Sequence, residues 1–315
     1  MTLAQWNDRV RRRLKLRDVD ILLAVIQTGS MGRAASALNM SQPAVSKAIA
    51  YLEDTLGVRL LDRSRQGVEP TAYGRALVRR GVAMFDELRQ GVQDIASLAD
   101  PTAGDVRMGG SEHTIAAIYS PIIQRLSRQH SRMSFQITVG DLRSLSRDLD
   151  ARRIDFLVSR VYSPPSEEHA VEALFEDPLV VVTGPKNPLA RRRKIELSEL
   201  LDQPWTLQPR ENNFGSFALD ALHAAGLSPP QVTVATTSSN LRGEMLETGR
   251  YLTMVPRYWV LLPRERPSLK ILPVEFPNTR LKVAIITLKN RSLSRGTELF
   301  INNIRALTKP LAREA

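Results

Sequence analysis

Gln42, Pro43, Ala44, Ser46, Lys47 and Ala50 fill the segment QPAVSKAIA with short or polar groups suited to the edge of a nucleic-acid duplex. Gln and Ser donate to and accept from base edges in the major groove, Pro and Ala meet a thymine methyl, and Lys reaches a phosphate. On a 3.6-residue wheel Gln42, Pro43, Ser46, Lys47 and Ala50 lie away from the apolar stripe of Val45, Ile49, Leu52 and Leu56, clustered toward the helix N-terminus. Taken alone, a polar helix face describes a solvated surface. The elements around it decide the matter.

Ser41 caps this helix, Pro43 occupies the first turn where its missing N–H costs nothing, and Gly57 ends it. Before it, Val19, Leu22, Leu23 and Ile26 recur at helical spacing and stop at Gly29. Ser30 then caps a helix whose Ala34, Ala35 and Leu38 allow a close crossing before Asn39 and Met40 turn the chain. Arg33 on that helix is counted with the DNA-facing set. After Gly57, Leu60 to Arg63 reads as a strand, Arg65, Gln66 and Gly67 as a turn, and Val68 to Pro70 as the return. Arg63 and Arg65 therefore sit on a small hairpin able to straddle the sugar-phosphate backbone. Residues 1–80 hold 14 Lys plus Arg against 7 Asp plus Glu, so they carry +7 of the chain's net +11. A basic head on a near-neutral body is an electrostatic footprint for phosphate.

The run LLAVIQTGSMGRAASALNMSQPAVSKAIAYLEDTLGVRLLDR and the TAYG that follows closely resemble the LysR-type transcriptional regulators, densely over residues 14–74 and by length and element order beyond. The resemblance implies a winged helix-turn-helix domain (14–71), a long helix that pairs antiparallel with a second copy (72–100), and a two-part, periplasmic-binding-protein-like effector domain (104–310). Its first subdomain would hold about 104–182 and 283–310, and its second about 183–282. The expected fold class is α/β behind a mostly α-helical reading head.

The residues themselves support that layout. Thr71 caps a helix in which Leu77, Gly81, Met84, Leu88, Val92, Ile95 and Leu98 step by three or four, a heptad-like seam that suits either pairing or packing on the chain's own body. Asp100, Pro101 and Gly104 form a hinge beyond it. From Asp105 onward, short apolar runs alternate with helical patterns, the rhythm of an α/β fold. Strands are expected at Val106–Met108, Phe135–Val139, Phe156–Ser159, Leu179–Thr183, Trp205–Leu207, Val232–Ala235, Tyr251–Val255 and Lys282–Thr287. Strands near 180–183 and 282–286 are expected to cross between the subdomains.

Ligands in such folds bind where strand C-termini meet. The strand ends nominate Gly110, Ser111, Glu112, Gly140, Asp141, Ser159 and Arg160 in the first lobe, and Asn213 and Ser238 in the second. Arg160 is expected to clamp an anion in two-pronged fashion, whereas Glu112 and Asp141 suit a sugar hydroxyl or an amine.

Composition sets the outer limits. With 43% hydrophobic and 24% charged residues among 315, the chain reads as an ordinary globular protein of two or three domains. No apolar run approaches membrane-spanning length, and the basic N-terminal arm (1–13) lacks the apolar core of a secretory signal, so a bacterial cytoplasmic location is expected. The absence of cysteine excludes disulfides and thiolate chemistry. His113, His130, His169 and His223 are scattered without metal-ligand spacing, and nucleophile-elbow, phosphate-loop and dinucleotide motifs are missing. The competing readings are a solute-binding protein or an enzyme of the two-lobed α/β class with an incidental basic head.

The favoured expectation is a transcriptional regulator, not an enzyme, with no cofactor and no metal. Its expected partners are double-stranded DNA at an interrupted inverted repeat, a small-molecule effector, further copies of itself as a homodimer or homotetramer, and RNA polymerase. No membrane partner is expected.

Overall fold

The computed structural model describes residues 12–64, 67–100, 103–226, 232–262, 269–276 and 278–313. The chain divides into two compact units, 1–91 and 92–315, with the boundary inside one long helix.

In the first unit α1 (Leu16–Thr28) ends at Gly29, which adopts the left-handed conformation at φ 64°. Helix α2 (Met31–Ala37) starts under the Ser30 side chain, and α3 (Gln42–Leu56) under that of Ser41. Leu22, Val25, Ala34, Val45, Ile49 and Leu52 are completely buried where the three helices meet. Small side chains at Ala34 and Ala35 bring α2 close to its neighbours, and burial of this apolar stripe dominates the stability of the unit. Strands β1 (Leu61–Ser64) and β2 (Gly67–Pro70) pair antiparallel as the expected hairpin.

Helix α4 (Ala72–Ala99) begins under the Thr71 hydroxyl, which accepts the Gly74 N–H at 3.1 Å and donates to the Arg59 carbonyl at 2.8 Å. Its first turn lies so close to the hairpin that a Cβ on Gly74 would stand 2.1 Å from the Leu60 carbonyl oxygen. Backbone cannot rotate out of the way as a side chain does. Gly74→Ala should therefore destabilise the first unit by at least about 1–3 kcal/mol, read by denaturant unfolding. A change within a few tenths would contradict this packing.

The second unit holds two five-stranded sheets. The first is built from β3 (Ala103–Gly110), β4 (Arg132–Val139), β5 (Phe156–Arg160), β6 (His169–Asp177) and β12 (Leu281–Leu288), in the order β4-β3-β5-β12-β6. The second is built from β7 (Leu179–Thr183), β8 (Trp205–Leu207), β9 (Val232–Ala235), β10 (Leu252–Pro256) and β11 (Lys270–Ile271), in the order β11-β7-β10-β8-β9. Strands β3, β4 and β5 run parallel, and β12 runs antiparallel to β5 and β6. In the second sheet β8, β9 and β10 run parallel, with β7 antiparallel to β10. A short α turn (Glu112–Thr114), a π-helical turn (Ile115–Tyr119) and α5 (Ser120–Gln129) follow β3 without a break. Helices α6 (Leu142–Asp150), α7 (Asn213–Ala224), α8 (Ser239–Glu247), α9 (Arg257–Leu261) and α10 (Arg295–Thr308) complete the unit. Each sheet has its own core, one around Tyr119, Phe156 and Phe300 and the other around Trp205, Leu222 and Met254.

Two expectations need correction. The strand His169–Asp177 escapes the sequence reading because its burial alternates irregularly, with Glu172 and Glu176 among its residues, so neither strand nor helix periodicity stands out. It pairs with β12 and carries the chain to the edge of the first sheet. Consequently β7 lies wholly in the second sheet, and the chain leaves the first lobe at Pro178 rather than after residue 182. The strands near 180–183 and 282–286 do not themselves cross. Each stays in one sheet, and the crossings are the segments ahead of β7 and β12.

Candidate nucleic-acid interface and ligand cleft

The Ser41 hydroxyl accepts the Ala44 N–H at 3.4 Å and sets the first turn of α3. That turn leaves Gln42, Pro43, Lys47 and Ala50 exposed, while Ala44 and Ser46 are half-buried. The hairpin is tied to the same helix. Glu53 Oε1 accepts the N–H groups of Leu60 and Leu61 at 2.7 and 3.2 Å, and Arg63 Nη1 donates to Ser46 Oγ at 3.4 Å. Ser46 and Arg63 thus form one pair, not two independent contacts. The Arg33 guanidinium lies over Gly29, whose carbonyl accepts the Val68 N–H at 3.1 Å, so this cation stands beside β2. Arg65, with Gln66, lies outside the described residues. A protruding helix N-terminus with short and polar side chains, flanked by a strand that presents Arg63, is a shape that enters a major groove.

In the second unit a cavity of about 490 Å³ opens between the two lobes. Ser111, Glu112, Gly140, Asp141, Ser159, Arg160, Asn213 and Ser238 all line it. Gly110 does not: it is buried, and a Cβ on it would meet the Tyr119 ring at 3.1 Å and the Thr114 methyl at 3.3 Å. Sequence reasoning missed His113, Tyr162, Gln208, Asn212, Phe214, Thr237, Ser239 and Tyr258, together with the apolar Val139, Leu142 and Pro256. Gln208 directly follows β8 and was reachable by the strand-end rule. Asn212 stands just before α7 and its side chain caps that helix by accepting the Gly215 N–H at 2.6 Å. His113 meets Phe214 and Trp259 with ring centroids 5.7 and 5.0 Å apart, an arrangement no local pattern announces.

The polar groups of the cleft are already oriented. Ser111 Oγ lies 3.0 Å from Thr114 Oγ1, which lies 3.1 Å from the Tyr258 hydroxyl. Burial pushes that hydroxyl up to about 12. Asn212 Nδ2 donates to Gln208 Oε1 at 2.9 Å, and Ser238 Oγ caps α8 by accepting the Leu241 N–H at 3.2 Å. Ser159 Oγ donates to the Arg160 carbonyl at 3.1 Å. Burial alone would raise the Asp141 carboxyl, yet the Ser144 N–H and hydroxyl, aided by Arg143 and Arg147, hold it below its usual range. Glu112 Oε2 accepts the Ser239 N–H at 2.9 Å, a bond from the first lobe to the helix start of the second.

Arg160 lines the cavity, but both of its terminal nitrogens bond within the protein, not the two-pronged presentation expected from its strand end. Its Nη1 donates to Asp177 Oδ2 at 2.7 Å and its Nη2 to the Thr279 carbonyl at 2.8 Å, while Nε has no partner among the described residues. Asp177 also accepts the N–H groups of Arg257 and Tyr258 at 3.0 and 2.8 Å. This buried knot binds both interlobe crossings to β5 and α9. Burial pushes the Asp177 carboxyl from its ordinary 3.8 up to about 6, against the pull of Arg160 and the two N–H groups. Its contribution to stability is therefore full below the ordinary value and is lost as pH rises through about 6. Wild type should lose stability relative to Asp177→Asn between about pH 4 and 6. Parallel stability profiles across that window would contradict the assignment.

Among the described residues no group of His, Asp and Glu is placed to hold a metal ion, and no helix is long and apolar enough to cross a membrane.

Comparison with known proteins bears on both units. The family model for the bacterial regulatory helix-turn-helix protein of the lysR family matches residues 16–75, and that for the LysR substrate binding domain matches residues 99–309. The chain is 27% identical over 319 residues to the HTH-type transcriptional regulator GbpR of Azospirillum brasilense, covering 99% of this chain and 91% of that protein. Its fold resembles a full-length OxyR variant from Pseudomonas aeruginosa, with a TM-score of 0.67 at 20% identity over 94% of this chain and 97% of that one. It also resembles full-length CbnR in complex with its target DNA, with a TM-score of 0.52 at 19% identity over 94% of this chain and 100% of that one. With a helix-turn-helix head, a two-lobed ligand-binding body and relatives that are regulators and not enzymes, the chain belongs to the LysR family of DNA-binding bacterial transcriptional regulators.

Proposed function

We propose that two copies of this chain read an interrupted inverted repeat in DNA, and that a small molecule in the interlobe cavity changes how they sit on it. The observation that carries the reading is the exposed N-terminal face of α3 beside the hairpin that carries Arg63. Gln42, Pro43, Ala44 and Ala50 face bases. Ser46 is held by Arg63 and acts with it, and Lys47, Arg33 and Arg65 neutralise phosphates. Residues 14–71 read, 72–100 pair, and 104–310 sense, with the inner division at Pro178 and in the segment before β12.

Pairing through α4 is supported by its apolar seam, whose Leu88, Val92, Ile95 and Leu98 are 48, 67, 69 and 78% exposed in the single chain. Two-fold protein symmetry is what makes a repeated half-site the expected target. The reading places the protein in the bacterial cytoplasm, where occupancy of the operator is passed on to RNA polymerase.

Residue roles separate in a binding assay. Gln42→Ala should relax preference at one base position by about 1–3 kcal/mol while leaving the salt slope unchanged. Lys47→Ala should weaken binding to all sequences and reduce the salt slope by about 1 per head. Identical losses in both variants would overturn the division of roles.

A further inference from the structure

We propose that the effector is an uncharged polyhydroxylated molecule, of the sugar or polyol class, and that Glu112 is the residue that excludes its carboxylate analogues. The proposal rests on the reading of the interlobe cavity as the effector site.

The cavity holds two carboxylates, Glu112 and Asp141, and Arg160 is the one Lys or Arg among its described lining residues. Arg160 is ion-paired with Asp177 and also donates to the Thr279 carbonyl, with only its Nε left without a partner among the described residues, so an entering anion meets two carboxylates and a cation whose charge is already offset. The place where an anion would otherwise settle is the N-terminus of α8, and Glu112 fills it by accepting the Ser239 N–H at 2.9 Å. One turn further along, Arg242 is 3% exposed and donates Nη2 to Ser239 Oγ at 3.0 Å. Its Nε and Nη1 have no partner among the described residues, and burial holds the guanidinium below its ordinary pKa against the opposing pull of the Glu112 charge. The protein thus supplies its own carboxylate to a helix start that also carries a buried guanidinium.

What remains for a ligand is hydroxyl chemistry. Capping carboxylates accept from ligand hydroxyls, the amides of Gln208 and Asn213 offer both donors and acceptors, and the Phe214 ring offers an apolar face for C–H groups. An ammonium finds less to recommend the site, because the helix start and Arg242 already balance Glu112, while the α6 N-terminus, Arg143 and Arg147 balance Asp141.

The test uses the full-length protein, thermal shift and titration calorimetry, with matched triplets of neutral sugar, uronic acid and amino sugar in the hexose and pentose series. A neutral member should bind at least tenfold more tightly than its acid and amine counterparts. Glu112→Gln should narrow the gap to the acid by tenfold or more, and Gln208→Ala should weaken the neutral ligand. An acid or amine that binds wild type more tightly than its neutral partner, or the failure of every neutral member to bind, overturns the proposed class. Binding of a triplet member that neither substitution alters overturns instead the cavity reading beneath it.

Discussion

Arg160→Ala should destabilise the second unit by about 3–5 kcal/mol, because it leaves Asp177 buried with its charge partner gone and the Thr279 carbonyl without its donor. Both side chains are almost wholly buried, so water does not replace what is lost. The pair also sits where the chain passes between lobes, which couples its loss to interlobe geometry. Arg160→Met, which removes the charge but keeps much of the volume, should fall in the same range, since the orphaned carboxylate and not the cavity sets the cost. Thermal and denaturant unfolding of the full chain would measure both variants. A loss below about 1 kcal/mol, as found for exposed ion pairs, would show that the knot is solvated.

The second large effect is on assembly. Replacing Val92 and Ile95 together by Asp places two charges in the exposed seam of α4 and should convert the proposed dimer to monomers by sedimentation. A single reading head retains its half-site but loses the advantage of a tethered second one. Affinity for the full operator should therefore fall by about 10²–10⁴, while affinity for an isolated half-site stays nearly constant. A double variant that remains a dimer would move the interface off this helix. Because both side chains are exposed in the single chain, the substitution leaves its core intact and a loss of fold is not expected.

The reading head was largely legible in the sequence because its instructions are local. Ser30, Ser41 and Thr71 cap the helices they were expected to cap, and Gly29 and Gly57 end helices in the left-handed conformation that only Gly adopts without cost. Side-chain alliances across elements were not legible. Nothing near Ser46 announces Arg63, and nothing near Arg160 announces Asp177, seventeen residues on and in a strand with no clean periodicity. The strand-end rule still gathered most of one cavity wall, since parallel strands deliver their C-termini to the same edge regardless of side-chain detail. It failed at Gly110, where the next turn folds over the strand end, and it could not foresee the His113 and Phe214 rings that meet only across the lobes.

Two copies of α3 are proposed to recognise sequence in DNA. A footprint of the full-length protein on the DNA upstream of its own coding region, with a salt titration against a scrambled duplex of equal length, tests this recognition most directly. Two protected half-sites are expected, related by a two-fold axis and spaced by about one helical turn or a multiple of it. Affinity should fall steeply with salt on both duplexes, with a preference for the native one of at least about 10³. Equal affinity for native and scrambled DNA, or no protection at any salt, would contradict that recognition.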